Sequence, residues 1–123
     1  RLPGVTERGR ADVILDKEGG VETAMAIVDY KTSTDTEQRT HDLQLQVYAN
    51  AGRREGLDVR AAYVHDLSKV ESNPVSVGAA DIAAAEQEVL VAATRLRERD
   101  FSPNPHKQRC RRCEVRTICK AAK

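Results

Sequence analysis

An aspartate and a lysine two positions apart, Asp29 and Lys31, end the apolar segment "AMAIVDYK". Side chains at i and i+2 of a β-strand share a face, so this carboxylate and ammonium point the same way if the segment is a strand. Residues 24–28 carry no polar side chain, which indicates a strand buried on both faces. Because burying an unpaired carboxylate costs several kcal/mol, we expect Asp29 to lie at a rim or to have a partner.

A second carboxylate, Asp12, lies in the preceding segment "GRADVILD". If the chain reverses at the glycine pair of "KEGG", counting back from the turn places the Asp12 segment beside residues 27–29. Two nearby carboxylates stay ionised at low cost when a cation lies between them, and Mg²⁺ or Mn²⁺ suits oxygen ligands. Such an ion polarises a phosphoryl oxygen and activates water, and a lysine on the same face adds positive charge. This is the chemistry of phosphodiester cleavage; the alternative is an ordinary Asp-Lys ion pair unrelated to Asp12.

The elements that must position these groups follow from the hydrophobic pattern. "RADVILD" and "VETAMAIVDYKT" predict an antiparallel pair of strands with the second strand central. A helix is predicted over residues 36–55, with Leu43, Val47 and Ala51 as its apolar stripe and Gly56 at its end.

Two further strands and a second helix complete the prediction. One strand is expected around Ala61 to Val64, and "KVESNPVSV" predicts another, which Pro74 places at a sheet edge. The second helix is expected to start near Gly78, with Asp81 in its first turn. Its apolar stripe is predicted to be Ile82, Ala85, Val89, Ala92 and Leu96. The order predicts an α/β fold with a mixed central sheet of about four strands flanked by helices.

Charge is unevenly distributed along the chain. The formal net charge is only +1, yet from His106 onward seven Lys or Arg side chains stand against Glu114 alone. The body before His106 is therefore acidic and the tail basic, which suits contact with a phosphate backbone, although a solvated terminus gives the same pattern. We expect residues 1–105 to form the core of one domain and residues 106–123 a tail that packs on it, with no membrane span.

Three cysteines, Cys110, Cys113 and Cys119, lie in this tail with the spacing C-x2-C-x5-C. An odd number of cysteines argues against a disulfide framework and favours a reducing, cytoplasmic setting. Flanking arginines lower thiol pKa values, and thiolates favour soft metals. Zinc and an iron–sulfur cluster each take four ligands, so a fourth is needed, and His106 is one candidate for a zinc site. His41 is expected on a helix surface and His65 at a strand end.

The motifs "GRAD", "IVDYKT" and "QLQVY" resemble, in order and spacing, the core motifs of the PD-(D/E)XK nuclease superfamily, in its RecB and AddB branch. The resemblance runs from Gly9 to Cys119 and implies a restriction-endonuclease-like core. It implies that Asp12, Asp29 and the backbone carbonyl of Tyr30 bind Mg²⁺ or Mn²⁺. Lys31 would position or activate the attacking water. Gln44 and Tyr48 match the family's Q-x-x-x-Y and would line the site, although a surface Gln beside a core Tyr is the alternative.

In the AddB-like branch, three C-terminal cysteines and one far upstream hold a 4Fe-4S cluster. The resemblance therefore implies such a cluster at Cys110, Cys113 and Cys119. Since no cysteine precedes the first motif, and the chain opens at Arg1 without Met, we expect this chain to be the C-terminal part of a longer protein, such as a helicase-nuclease. The tail arginines are then expected to grip DNA phosphates: Arg109, Arg111, Arg112 and Arg116.

Three functions follow as hypotheses. The first is a metal-dependent DNA nuclease acting on single strands or ends, with exonuclease action favoured over endonuclease action. The second is a catalytically silent module of the same fold that binds DNA or a partner subunit. The third is a structural zinc domain without a nucleic-acid role. Clustering of Asp12, Asp29, Lys31 and Gln44 favours the first, because a silent copy has no physical need for paired carboxylates.

Overall fold

The computed structural model describes residues 4, 6, 8–15, 24–32 and 38–123. Contacts divide the chain into two compact units, Arg1–Val91 and Ala92–Lys123. The first unit contains the sheet, and the second contains the three cysteines. The turn predicted at "KEGG" lies outside the described residues.

One four-stranded sheet organises the first unit. Its strands follow the order β1-β2-β3-β4 and span Val13–Leu15, Ala24–Lys31, Asp58–Asp66 and Glu71–Val75. β1 and β4 run antiparallel to their neighbours, whereas β2 and β3 are parallel. The predicted mixed α/β sheet is thus confirmed, with β2 inside it and the Pro74 strand at an edge. Because parallel strands need a crossover, helix α1, Gln38–Arg54, connects β2 to β3.

The core lies between the sheet and α1. Ile27, Ala62 and Val64 of the sheet cluster with Leu45 and Ala49 of the helix. The predicted helix stripe is therefore wrong: Leu45 and Ala49 are fully buried, whereas Val47 is half-buried and Ala51 is exposed.

Buried polar side chains explain that error. His41, expected on the surface, is only 7% exposed, and Gln46 is 4% exposed. The Gln46 amide donates to the Ser76 carbonyl at 3.0 Å and accepts from Arg39 at 3.0 Å. A hydrogen-bonded amide can occupy a buried face at little cost, so a count of apolar residues finds the wrong stripe.

Helix α2, Ala79–Arg97, starts where predicted. Asp81 Oδ2 accepts hydrogen bonds from the Gly78 N–H at 3.2 Å and the Ser76 hydroxyl at 2.6 Å. Ile82 and Ala85 of the predicted stripe are buried, but Ala92 and Leu96 are exposed. The stripe is wrong in its second half because the core cluster contains Ile82 and none of the later α2 residues.

The second unit is mostly irregular, as its prolines indicate. Asp100 accepts hydrogen bonds from the Arg95 side chain at 2.8 Å and the Ser102 N–H at 3.0 Å. A short helix that was not predicted, α3, spans Lys107–Arg111. Among the described residues, no helix is long and apolar enough to cross a membrane.

Candidate active site

The two carboxylates meet across β1 and β2. Val13 pairs with Val28, so Asp12, the next residue outward, falls at the position opposite Asp29. The Tyr30 N–H donates to Asp12 Oδ2 at 3.0 Å, which fixes the exposed Asp12 carboxylate beside the peptide that follows Asp29. The register predicted from the sequence is therefore confirmed. Two carboxylates and a peptide lie together at one end of the sheet.

Asp29 and Lys31 form a close ion pair. Lys31 Nζ lies 2.6 Å from Asp29 Oδ2, with the lysine side chain 28% exposed and the aspartate side chain 5% exposed. The same Oδ2 is buried and makes no aligned hydrogen bond. We interpret the pair as a charge contact of poor directionality, since the distance is short but the angles are not those of a hydrogen bond. Asp29 thus retains lone pairs that a second cation could use.

Lys31 is also linked to helix α1. Its ammonium donates to Gln44 Oε1 at 3.5 Å, a long contact, and Gln44 Nε2 donates to Tyr48 Oη at 3.3 Å. The Arg10 N–H donates to the same hydroxyl at 3.2 Å. Gln44 and Tyr48 can act together because residues four apart share a helix face. The structure therefore brings together all five predicted side chains: Asp12, Asp29, Lys31, Gln44 and Tyr48.

Gly9 also shapes the site, although the sequence singled it out only as the first residue of the motif "GRAD". A Cβ atom built on Gly9 would lie 2.3 Å from Tyr48 Cε1, far inside van der Waals contact. Only glycine lets the chain pass this close to the ring. Gly9 therefore leaves room for the Tyr48 ring at the place where its hydroxyl meets Gln44.

Asp66 is a buried carboxylate that the sequence analysis missed. It ends β3 and pairs in register with Lys31, so both side chains lie on one face of the sheet. Its Oδ1 accepts from the Ser68 hydroxyl at 2.6 Å, the Ser68 N–H at 2.9 Å and the Lys69 N–H at 3.3 Å. The hydrogen bond from the Ser68 side chain is the main cause that lowers the pKa of Asp66. The signal available in the sequence was "YVHD", the end of a predicted strand that closes on Asp as "AIVD" does.

The donor atoms at this end of the sheet suit a hard divalent cation. Asp12 and Asp29 supply carboxylate oxygens, and the buried Oδ2 of Asp29 has unused acceptor capacity. Within the described ranges, no three His, Cys, Asp or Glu side chains form a ready metal site. A cation here would thus depend on two carboxylates, with backbone oxygens and water completing its shell.

A family model for the PD-(D/E)XK nuclease superfamily matches residues 4–120. The chain belongs to the PD-(D/E)XK nuclease superfamily. Members of this superfamily are generally hydrolytic nucleases that typically use divalent metals, and nuclease activity implies DNA binding. No match was found among curated proteins.

The second unit of this superfamily member brings its cysteines to one cavity. Cys110, Cys113 and Cys119 line a space of about 300 Å³ together with Pro103 and Val115. Cys110 is buried, and hydrogen bonding by the Lys123 backbone is the main cause that lowers the pKa of its thiol. The charges of Arg116 and Arg109 act in the same direction. A lowered pKa favours the thiolate, which is the metal-binding form.

The other residues singled out in the sequence of this nuclease-superfamily chain are the tail arginines and two histidines, His106 and His65. The tail arginines predicted to bind nucleic acid are all exposed: Arg109, Arg111, Arg112 and Arg116. His106, the candidate zinc ligand, is exposed at the start of α3. His65 lies one residue before the end of β3, packs edge-on against the Tyr30 ring at 5.6 Å and contacts Ser72 Oγ at 2.7 Å.

Proposed function

We propose that this chain is a metal-dependent DNA nuclease of the RecB and AddB branch, with Asp12, Asp29, Lys31, Gln44 and Tyr48 as its working side chains. One observation carries the proposal: these residues form a continuous network from Asp12 through the Tyr30 peptide to the Asp29–Lys31 pair and on to Tyr48. A fold retained for packing alone gains nothing from a buried carboxylate that lacks an aligned hydrogen bond.

Asp12, Asp29 and the Tyr30 carbonyl would hold Mg²⁺ or Mn²⁺. When bound, such an ion polarises a phosphoryl oxygen and activates water near neutral pH. Lys31 contributes a fixed positive charge beside Asp29, where it can orient the attacking water and stabilise the charge that develops on the phosphate. Gln44 limits where the Lys31 ammonium can lie, and Tyr48 in turn fixes Gln44.

We further propose that the tail holds a 4Fe-4S cluster, with zinc as the alternative. Three cysteines that line one cavity and a thiol of lowered pKa support a soft metal. A fourth ligand from outside the tail would complete a cluster, whereas His106 would complete a zinc site. Iron, sulfide and zinc analysis of anaerobically purified protein separates these outcomes, with Cys113→Ser as the variant expected to lose the bound metal.

The setting we propose is DNA repair or recombination in the cytoplasm, alongside a helicase domain or subunit. Single strands and ends are the proposed substrates, with exonuclease action. The exposed tail arginines Arg109, Arg111, Arg112 and Arg116 would contact phosphates. Comparison of linear and circular single-stranded DNA tests the exonuclease assignment, since equal degradation of both would contradict it.

The central experiment is Mn²⁺- or Mg²⁺-dependent degradation of end-labelled single-stranded DNA. The unmutated chain should cut, EDTA should stop it, Asp29→Ala should not cut, and Lys31→Ala should cut about 10²–10³-fold more slowly. Asp58→Asn is a matched control, because Asp58 is paired with Arg60 away from the site. Cleavage that survives Asp29→Ala would reject the assignment. Silence of the unmutated chain, with DNA binding retained, would favour the non-catalytic DNA-binding module.

A further inference from the structure

A groove adjoins the proposed active site on the side of Tyr48. It encloses about 480 Å³ and is lined by Arg8, Gly9, Val47, Tyr48 and Ala51. This volume is within the range of about 300–1,000 Å³ of ligand-binding pockets. Tyr48 belongs to both places, since its ring lines the groove and its hydroxyl accepts from Gln44 in the site. An occupant of the groove would therefore lie next to the reacting groups.

The floor of the groove, Val47 and Ala51, is apolar although neither residue belongs to the core cluster. Val47 and Ala51 lie four residues apart on one face of α1. The sheet packs instead against Leu45 and Ala49, so the Val47–Ala51 stripe is left outside the core cluster. An apolar stripe at the surface of a helix suits contact with the flat, apolar parts of a ligand.

The charge of the groove lining indicates which class of ligand the groove would bind. Arg8 is exposed, and none of the ion pairs within the described part of the chain involves it. Among the described residues that line the groove, none is a carboxylate. A groove lined by a cation, two apolar side chains and an aromatic residue matches the parts of a nucleotide, which has a phosphate, a sugar and a flat base.

We propose that this groove binds one nucleotide of the substrate strand beside the phosphate that is cut. The Arg8 guanidinium contacts a backbone phosphate, and the sugar or base lies against Val47, Ala51 and the Tyr48 ring. This inference rests on the proposed nuclease function and specifies how the strand enters the same site. It makes Arg8 and Ala51 binding residues.

The test measures binding of fluorescently labelled oligothymidylate in EDTA, so that no strand is cut, over a series of salt concentrations. Arg8→Gln should raise Kd about tenfold at low salt, since a hydrogen bond to a charged group is lost. It should also reduce the slope of log Kd against log salt by about 0.7, the value for one phosphate contact on a single strand. Ala51→Leu fills the groove without changing charge, so it should raise Kd and leave the slope unchanged.

Two control variants match these changes elsewhere. Arg60→Gln removes an exposed arginine on β3, and Ala83→Leu enlarges an exposed alanine on α2; both should bind as the unmutated chain does. The proposal is overturned if Arg8→Gln keeps the original slope or if Ala51→Leu binds as tightly as Ala83→Leu. It is also overturned if an acidic peptide of equal charge binds with the same dependence on both groove variants.

Cleavage assays on the same proteins separate this inference from the proposed function. If the unmutated chain cuts DNA and the groove variants bind and cut like their controls, the groove assignment fails and the nuclease assignment stands. If the chain does not cut but the variants change binding as expected, the groove assignment stands and the nuclease assignment fails.

Discussion

The backbone N–H of Tyr30 donates to the Asp12 carboxylate at 3.0 Å. This bond ties the residue before β1 to the Asp29–Tyr30 peptide, so the proposed metal ligands hold one another in position. Asp12 therefore has two separable roles, as a hydrogen-bond acceptor and as a charge.

Asp12→Asn and Asp12→Ala should separate those roles. Asparagine keeps an oxygen for the Tyr30 N–H but loses the charge, so we expect near-normal stability and a loss of metal-dependent cleavage of about 10²-fold or more. Alanine removes both, so we expect the same loss of cleavage and about 1 kcal/mol lower stability. Urea unfolding and cleavage rates measure the two effects. Equal stability of the two variants would contradict the structural role of the bond.

Lys31→Ala should lose cleavage by about 10²–10³-fold, because a fixed cation is removed from the site. It also leaves the buried Asp29 carboxylate without its partner, so unfolding in EDTA should occur at lower temperature than for the unmutated chain. Adding Mg²⁺ should narrow that difference, since a bound cation replaces the lost ammonium charge. Thermal unfolding with and without Mg²⁺ measures this, and a gap that Mg²⁺ leaves unchanged would argue against a cation beside Asp29.

Tyr48→Phe should reduce cleavage by about 10–100-fold, the range found when a group that orients a metal-site residue is removed. The ring and its packing against Gly9 remain, but the hydroxyl that accepts from Gln44 and Arg10 is lost. Single-turnover rates should fall while oligonucleotide Kd changes little. A change confined to Kd would instead place the hydroxyl in substrate binding.

Asp66 should make the fold sensitive to acid. Its pKa is lowered in the folded state, chiefly by the Ser68 hydroxyl, so its contribution to stability is present above the unfolded pKa of about 3.9. The contribution is lost as pH falls through the lower folded-state pKa. Asp66→Asn should therefore be less stable at pH 7 and lose less stability on acidification. Urea unfolding at a series of pH values tests this, and parallel pH profiles for both proteins would contradict it.

Val70→Gly should stabilise the protein. Val70 has φ of 55° and is 79% exposed, so a β-branched residue occupies the left-handed region with little packing in return. Relieving this conformation is worth about 1–2 kcal/mol, reduced by the greater freedom of glycine in the unfolded chain. Urea unfolding should show a higher midpoint, with Val91→Gly, an exposed helical position, as a control that loses stability.

The sequence was sufficient to predict the sheet and the gathering of the site. Counting back from the predicted turn placed Asp12 beside residues 27–29, and the observed pairing of Val13 with Val28 agrees with that placement. The spacing of Gln44 and Tyr48 predicted their shared face, because the helix period is fixed.

The errors in the α1 stripe and at Asp66 arose where polar side chains are buried. His41 and Gln46 occupy the inner side of α1, and only tertiary hydrogen bonds, such as that from Gln46 to the Ser76 carbonyl, make this possible. Asp66 was overlooked because its role depends on partners in the turn that follows it, the Ser68 hydroxyl and the N–H groups of Ser68 and Lys69. The strand end at Asp66 was visible in the sequence, but the contacts that bury the carboxylate form only in the fold.

β2 pairs antiparallel with β1 and parallel with β3, and this difference predicts the order in which the strands come together during folding. Ile27 of β2 pairs with Ile14 on one side and with Ala62 on the other. The first contact closes a short loop, whereas the second must await the crossover through α1, and longer loops cost more entropy to close. We therefore expect the two carboxylates to meet in an early hairpin and the environment of Lys31 to be completed late, when β3 docks. The electrostatic repulsion between Asp12 and Asp29 would then slow formation of the hairpin. A divalent cation that offsets this repulsion would accelerate folding as well as stabilise the native state.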